Sequence, residues 1–370
     1  MLSPLRFKNR LFYGWVVVGT FLIIGTIIWG VRFSFGVFFK SIESEFILSR
    51  AVTSSIFSMQ MVLGSLFSFL AGWAVDRYGP KIVLLMMGLF AGLGLLLTSQ
   101  TNAAWQLFIT YSLLLSMGVS AIYVVLMATV SRWFDKKRGL ALGIASSGAG
   151  LGPVVMAPFA TYLITDFDWR MAYLIIGLIT WLIVIPLSGL LKRDPYEIGD
   201  LPDGTVADPE NTTNKNEGAQ AAGLSLPRTL RTRNFWLVML TFFLFASNLF
   251  LILTHLVPHT TDMGFSVAQA ATVLSLLGMA AAAGRVLMGV ASDRIGRKVA
   301  SMICALLLAS SLLWLLWAQE LWRLYLFAFI YGFAWGGIGP CMAALVGEAF
   351  GLGKLGAILG VLDAGFGIGA

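Results

Sequence analysis

Three charged side chains stand inside stretches that are otherwise apolar. Arg32 lies in IIGTIIWGVRFSFGVFF (23–39), Arg285 in AGRVLMG (283–289) and Asp363 in GVLDAGFG (360–367). An unpaired charge at the centre of a bilayer-spanning helix costs ~2.5–3.5 kcal/mol, so several such charges are more readily kept for function than for packing. A guanidinium presents a planar fork of N–H donors that matches a carboxylate bidentately, which makes Arg285 and Arg32 candidate anion anchors. Asp363 is a candidate proton carrier, because an apolar setting favours the protonated acid and a neighbouring arginine opposes that. Helical spacing places Gly278, Ala282, Gly289 and Ser292 on the face of Arg285, Gly356, Gly360 and Gly367 on that of Asp363, and Gly25, Trp29 and Gly36 on that of Arg32. Faces rich in small residues pack on another helix or line a cavity, and do not face lipid. Two structural alternatives stand beside this reading. Arg285 and Asp363 each lie about 8 residues, or roughly 12 Å, from a helix end and could form an ion pair. Arg32 could instead snorkel to the nearer surface. Tyr123, Asn248 and Tyr331 are polar groups in apolar helices, open between substrate contact and satisfied packing.

The elements that must hold these residues follow from composition. Of 370 residues, 58% are hydrophobic and 12% charged, and the mean hydropathy is +0.85. Soluble domains carry about a quarter charged residues, so this is an integral, multi-pass membrane protein. Continuous apolar windows, rather than alternating ones, point to helices and not a barrel. Eleven are expected, near 12–39, 51–75, 81–99, 104–130, 139–164, 170–191, 235–258, 267–291, 299–318, 321–348 and 355–370. The basic N-terminus precedes an apolar run (11–39) too long for a cleaved signal, so it reads as a retained first helix. The polar segment 192–234 reads as a linker without regular structure, apart from a short helix near 226–232, between an N-terminal bundle (1–191) and a C-terminal one (235–370).

Charge sets the orientation. With the N-terminus inside, 19 of the 25 Lys and Arg fall in inner loops, which places the N-terminus and linker in the cytoplasm. The same loops account for the net charge of +7 without a nucleic-acid partner. The glycosylation pattern at 211–213 is discounted on this topology. Cys304 and Cys341 are expected to be buried packing residues. His255 and His259 have no carboxylate company, so neither a metal nor a cofactor is expected.

GWAVDRYGPK (72–81) and GVASDRIGRK (289–298) share Gly, Asp, Arg, Gly and Lys at a constant spacing of 217 residues. GLALGIASSGAGLG (139–152) and GAILGVLDAGFGIG (356–369) share five glycines at the same spacing of 217. Two motifs at one offset indicate an internal duplication, with parallel repeats related by an axis along the membrane normal. On that count the second bundle is cut inside its fifth helix, and the intact chain is expected to continue for ~40 or more residues with one more span.

The paired GxxxDRxGxK loops resemble the signature loop of the major facilitator superfamily. YGWVVVG, RFSFGVFFKSIE, SRWFDKKRGLALGIASSGAGLG, RDPYEIGDLPDG and HLVPHTTDMGFS resemble its monocarboxylate transporter and oxalate–formate antiporter branch, in bacterial form. The resemblance implies a twelve-helix fold of two six-helix bundles, a central cavity and alternating access for small organic anions, by a monomer in a bacterial inner membrane. It also implies that Arg285 binds the substrate carboxylate, since the branch places a basic residue there in its eighth helix. The chain departs from the branch at several points. Ala281 stands where proton-coupled animal members carry Asp, Leu142 where they carry Asn, and Arg32 lies beside their first-helix Lys. Asp363 lies near the position of the oxalate antiporters' eleventh-helix Lys.

The repeated loops suggest a gate in which Asp76 and Asp293 meet arginines or helix N-termini in one state only, with Arg77, Arg294 and Arg138 in the same network. The glycine runs 147–152 and 364–369 lie inside helices and read as close packing rather than nucleotide loops. No GxxxxGK[ST], HExxH or GxSxG occurs, so an ATP-driven pump or membrane enzyme has no visible machinery. The expected function is secondary transport of a small carboxylate, coupled to H+ or by exchange. The alternatives are a dicarboxylate or oxalate antiporter, a drug exporter or a non-transporting sensor. Two buried arginines disfavour cationic cargo, and a sensor would need a signalling domain.

Overall fold

The computed structural model describes residues 12–204 and 225–369, the Val267 side chain excepted. The basic residues at 6, 8, 10 and 215 and the pattern at 211–213 lie outside it. Among the described residues, ten helices are long and apolar enough to cross a membrane: α1 (Tyr13–Glu45), α2 (Arg50–Tyr78), α3 (Pro80–Ser99), α4 (Ala104–Trp133), α5 (Arg138–Asp166), α6 (Trp169–Ser188), α7 (Arg233–Asp262), α8 (Ala268–Ile295), α9 (Arg297–Leu315) and α10 (Leu321–Phe350). A shorter apolar helix, α11 (Leu355–Gly369), comes next. The protein is an all-α membrane protein.

Local chemistry sets the boundaries and the breaks. Ser49, Asp168 and Ser266 cap α2, α6 and α8, each side chain accepting an N–H from the first turn. α1 runs past the expected end to Glu45, with Phe38 and Ile42 buried, and breaks at Ser34, whose Oγ bonds back to the Val31 carbonyl at 3.0 Å. α4 contains a π-helical turn at Phe108–Leu114. α5 divides at Ser147 into Arg138–Ser146 and Gly148–Asp166. The last glycine of each repeated DRxG motif has positive φ, +81° at Gly79 and +90° at Gly296, and makes the turn into the next helix.

In the first half of the chain α1 packs on α5 and α3 on α4 and α6; in the second, α10 packs on α8 and α9, and α7 on α11. Two seams join the halves, α2 against α11 and α5 against α8. At each seam two glycines bring the backbones together. A Cβ on Gly72 would strike the Gly356 carbonyl and one on Gly356 the Gly72 carbonyl, while Gly139 and Gly289 oppose each other in the same way. These are the same two glycines of the repeat, exchanged between halves. The first residues of the linker are more ordered than their composition suggests. The Trp133 indole donates to the Lys192 carbonyl (3.2 Å), and Arg193 Nη2 donates to the Asp76 carbonyl (2.7 Å). The expected short helix further along spans Leu226–Leu230.

Candidate substrate site and gate

Arg285 is buried on α8, its guanidinium 4.9 Å from the centre of the Trp335 ring on α10. Its Nη1 is buried and has no hydrogen-bond partner. A cation over an indole face gains some electrostatic stabilisation, but a buried donor left unmade costs about 1–3 kcal/mol. The group therefore keeps unused donor capacity that an added acceptor could satisfy. Tyr123 of α4 lies within charge range of both Arg285 and Asp363 and donates to the Gly339 carbonyl of α10 at 3.3 Å. Tyr331 donates to Asn248 Oδ1 at 2.6 Å, linking α10 to α7.

Arg32 is half-buried near the break in α1, with Nη2 3.1 Å from Met61 Sδ on α2. Asp363 on α11 meets Ser68 of α2 and the charge of Arg32. No ion pair joins Asp363 to Arg285 among the described residues. Equal depth alone suggested that pairing, but the two groups belong to different seams. The Arg285 backbone lies against Gly143 of α5, and Ser68 lies against Gly360 of α11. Beyond each arginine, away from the DRxG loops, the helix face opens: nothing lies within 4 Å of a Cβ placed on Gly36 or Gly278.

At the DRxG end the halves are latched. Asp76 accepts N–H bonds from Gly356 (3.1 Å) and Ala357 (2.8 Å) in the first turn of α11. Asp293 accepts from Gly139 (2.7 Å) and Leu140 (2.9 Å) in the first turn of α5. A carboxylate there satisfies free N–H groups and the positive end of the helix dipole. All four acceptor–donor pairs obey the 217-residue spacing. Asp76 also carries an ion pair with Arg132 at 2.6 Å, both side chains being nearly inaccessible. Arg138 donates to the Phe134 carbonyl (2.9 Å) and Asp135 (3.2 Å). Arg77 and Arg294 depart from the expected gate network. Both are exposed, and Arg77 stacks over Trp73 and Tyr78 of its own helix end. Successive helical residues point about 100° apart, so neither arginine can share its aspartate's inward face. Arg132 and Arg297 reach across instead, Arg132 to the Leu352 carbonyl (3.5 Å) and Arg297, which pairs with Glu348 in its own half, to the Asp135 carbonyl (3.1 Å). Composition marks these two only as topology-setting charge. Trp335, Met61 and Ser68 carry no sequence signal beyond helical phase.

Among the described residues, no cluster of three or more His, Cys, Asp or Glu could hold a metal. A sequence model of the Major Facilitator Superfamily matches residues 21–370. The chain belongs to this superfamily. As a facilitator it is a membrane transporter and not an enzyme. Monocarboxylate transporter 13 of Bos taurus is 27% identical over 353 residues, covering 95% of this chain and 79% of the relative. Monocarboxylate transporter 13 of Rattus norvegicus is 28% identical, covering 95% and 78%. A solved structure of the proton:xylose symporter XylE superposes with a TM-score of 0.74 at 14% identity, covering 96% of this chain and 86% of that one, which is a likeness of fold. The paired DRxG contacts and the arginine with the unbonded Nη1 both lie within the residues matched by this family.

Proposed function

We propose that this facilitator moves small monocarboxylates across the membrane by alternating access between two bundles, acting as a monomer. The observation that carries the reading is the buried Arg285 Nη1 without a partner. A substrate carboxylate supplies the missing acceptor, and the guanidinium fork orients it. The names of its relatives as monocarboxylate transporters support the substrate class. So does charge: Arg32 and Arg285 against an ionised Asp363 leave one net positive charge, which suits a monoanion. Tyr123, within charge range of Arg285, and the bonded Tyr331–Asn248 pair are assigned to shaping the space for the rest of the substrate. Asp363 is the group that carries the proton when transport is proton-driven, since a neutral Asp363 changes the charge balance around Arg32. The DRxG end faces the cytoplasm of a bacterial inner membrane, in keeping with the inner-loop excess of Lys and Arg.

A second reading comes from the two arginines lying on opposite halves: a dicarboxylate spanning them, with Asp363 protonated. Uptake of labelled mono- and dicarboxylates into proteoliposomes, with and without a pH gradient, separates the two. Saturable uptake of monocarboxylates that dicarboxylates do not inhibit supports the first. Absence of uptake or exchange for every carboxylate would overturn both.

A further inference from the structure

The linker reaches the gate through one carboxylate. Residues 199–204, GDLPDG, hold three left-handed backbone positions: Gly199 (φ +75°), Asp203 (φ +60°) and Gly204 (φ +69°). Aspartate is among the few side chains that tolerate this region. The bend carries Asp203 onto the 134–136 peptides, between α4 and α5. Asp203 Oδ2 accepts the N–H of Asp135 at 3.0 Å and of Lys136 at 2.7 Å.

The opposite ends of those two peptide units are also occupied. The peptide joining Phe134 to Asp135 gives its N–H to Asp203 and its carbonyl to Arg138 Nε at 2.9 Å. The peptide joining Asp135 to Lys136 gives its N–H to Asp203 and its carbonyl to Arg297 Nη2 at 3.1 Å. Each peptide is therefore held between a carboxylate and a guanidinium, an arrangement in which hydrogen bonds polarise and strengthen one another. One guanidinium belongs to the same half as the peptides. The other, Arg297, comes from the opposite half and is itself held by Glu348. The other Asp203 oxygen, Oδ1, is buried with no partner, so Oδ2 alone makes these bonds.

We infer that Asp203 is a positioning residue for the gate: through two peptide units it presents the Asp135 carbonyl to Arg297 and so sets how firmly the DRxG end stays closed. This assignment rests on the alternating-access reading above. The linker is then a working part of the latch as well as a connection between halves.

The test is the distance distribution between spin labels on Tyr78→Cys and Ile295→Cys, two exposed positions at that end on opposite halves, in a Cys304→Ala, Cys341→Ala background in liposomes. Asp203→Ala should shift the closed-to-open ratio toward open by about tenfold, because two bonds to a charged acceptor are lost. Asp203→Asn keeps one oxygen for the same N–H groups and loses only the charge, so its shift should be smaller, about threefold. A folding role alone would lower thermal stability without moving the ratio. Two distance populations that neither variant shifts would overturn the assignment, as would failure of both variants to fold. A single closed distance in the parent under all conditions would instead overturn alternating access, which distinguishes the two failures.

Discussion

The two seams share a skeleton and differ in chemistry. At the α2–α11 seam, Gly72 and Gly356 touch and Asp76 caps α11; at the α5–α8 seam, Gly289 and Gly139 touch and Asp293 caps α5. Further into the membrane, the repeat-related positions diverge. Ser68 on α2 corresponds to Arg285 on α8, and Ser146 on α5 to Asp363 on α11. Duplication thus keeps the parts that bring two backbones into contact, as the proposed alternating access requires of both halves. It leaves the charged groups single, in keeping with the proposal that they serve one small anion. The seams also differ at the latch itself: Asp76 is ion-paired with Arg132, whereas the hydrogen bonds of Asp293 go to backbone N–H groups.

The largest expected effect exploits that last difference. Asp76→Ala strands Arg132 in a nearly inaccessible position, and breaking a buried pair in this way costs about 3–5 kcal/mol. The closed population, read by spin-label distances across the DRxG end, should collapse. Asp293→Asn removes charge without stranding an arginine and should cost about 1–2 kcal/mol in the same measurement. Equal effects at the two seams would break the comparison.

Asp363→Asn sharpens it further in. Proton-driven accumulation in proteoliposomes should disappear, while substrate exchange stays within about threefold, a change below about 1 kcal/mol. Undiminished accumulation would remove Asp363 as the carrier. Arg77→Gln and Arg294→Gln should matter least, shifting the closed population by no more than about 0.5 kcal/mol, as exposed substitutions do. A large effect at either would restore these arginines to the latch.

The skeleton is legible in the sequence because it is repeated. One spacing of 217 residues picks out the glycines and aspartates that meet in the structure, although it does not say that they meet crosswise between halves. Gly79 and Gly296 are visible as motif glycines, and their positive φ supplies the reason. The hidden part depends on helix rotation. Arg132 meets Asp76 from 56 residues away, and Trp335 covers Arg285 from another helix; no local spacing encodes either pairing. Arg77 misleads for the same reason, since adjacency in sequence is divergence on a helix. Asp203 lies in a segment whose composition suggests a featureless linker, and only its left-handed GDLPDG bend brings it to the gate.

Arg285 carries the central claim, and binding of a labelled monocarboxylate to purified protein, wild type against Arg285→Lys, tests it most directly. Lysine keeps the charge but loses the planar fork and the stacking over Trp335. The account predicts a loss of affinity of about 10- to 100-fold with folding intact, equivalent to about 1.4–2.7 kcal/mol. Near wild-type affinity in the lysine variant would contradict it and move the anchor elsewhere.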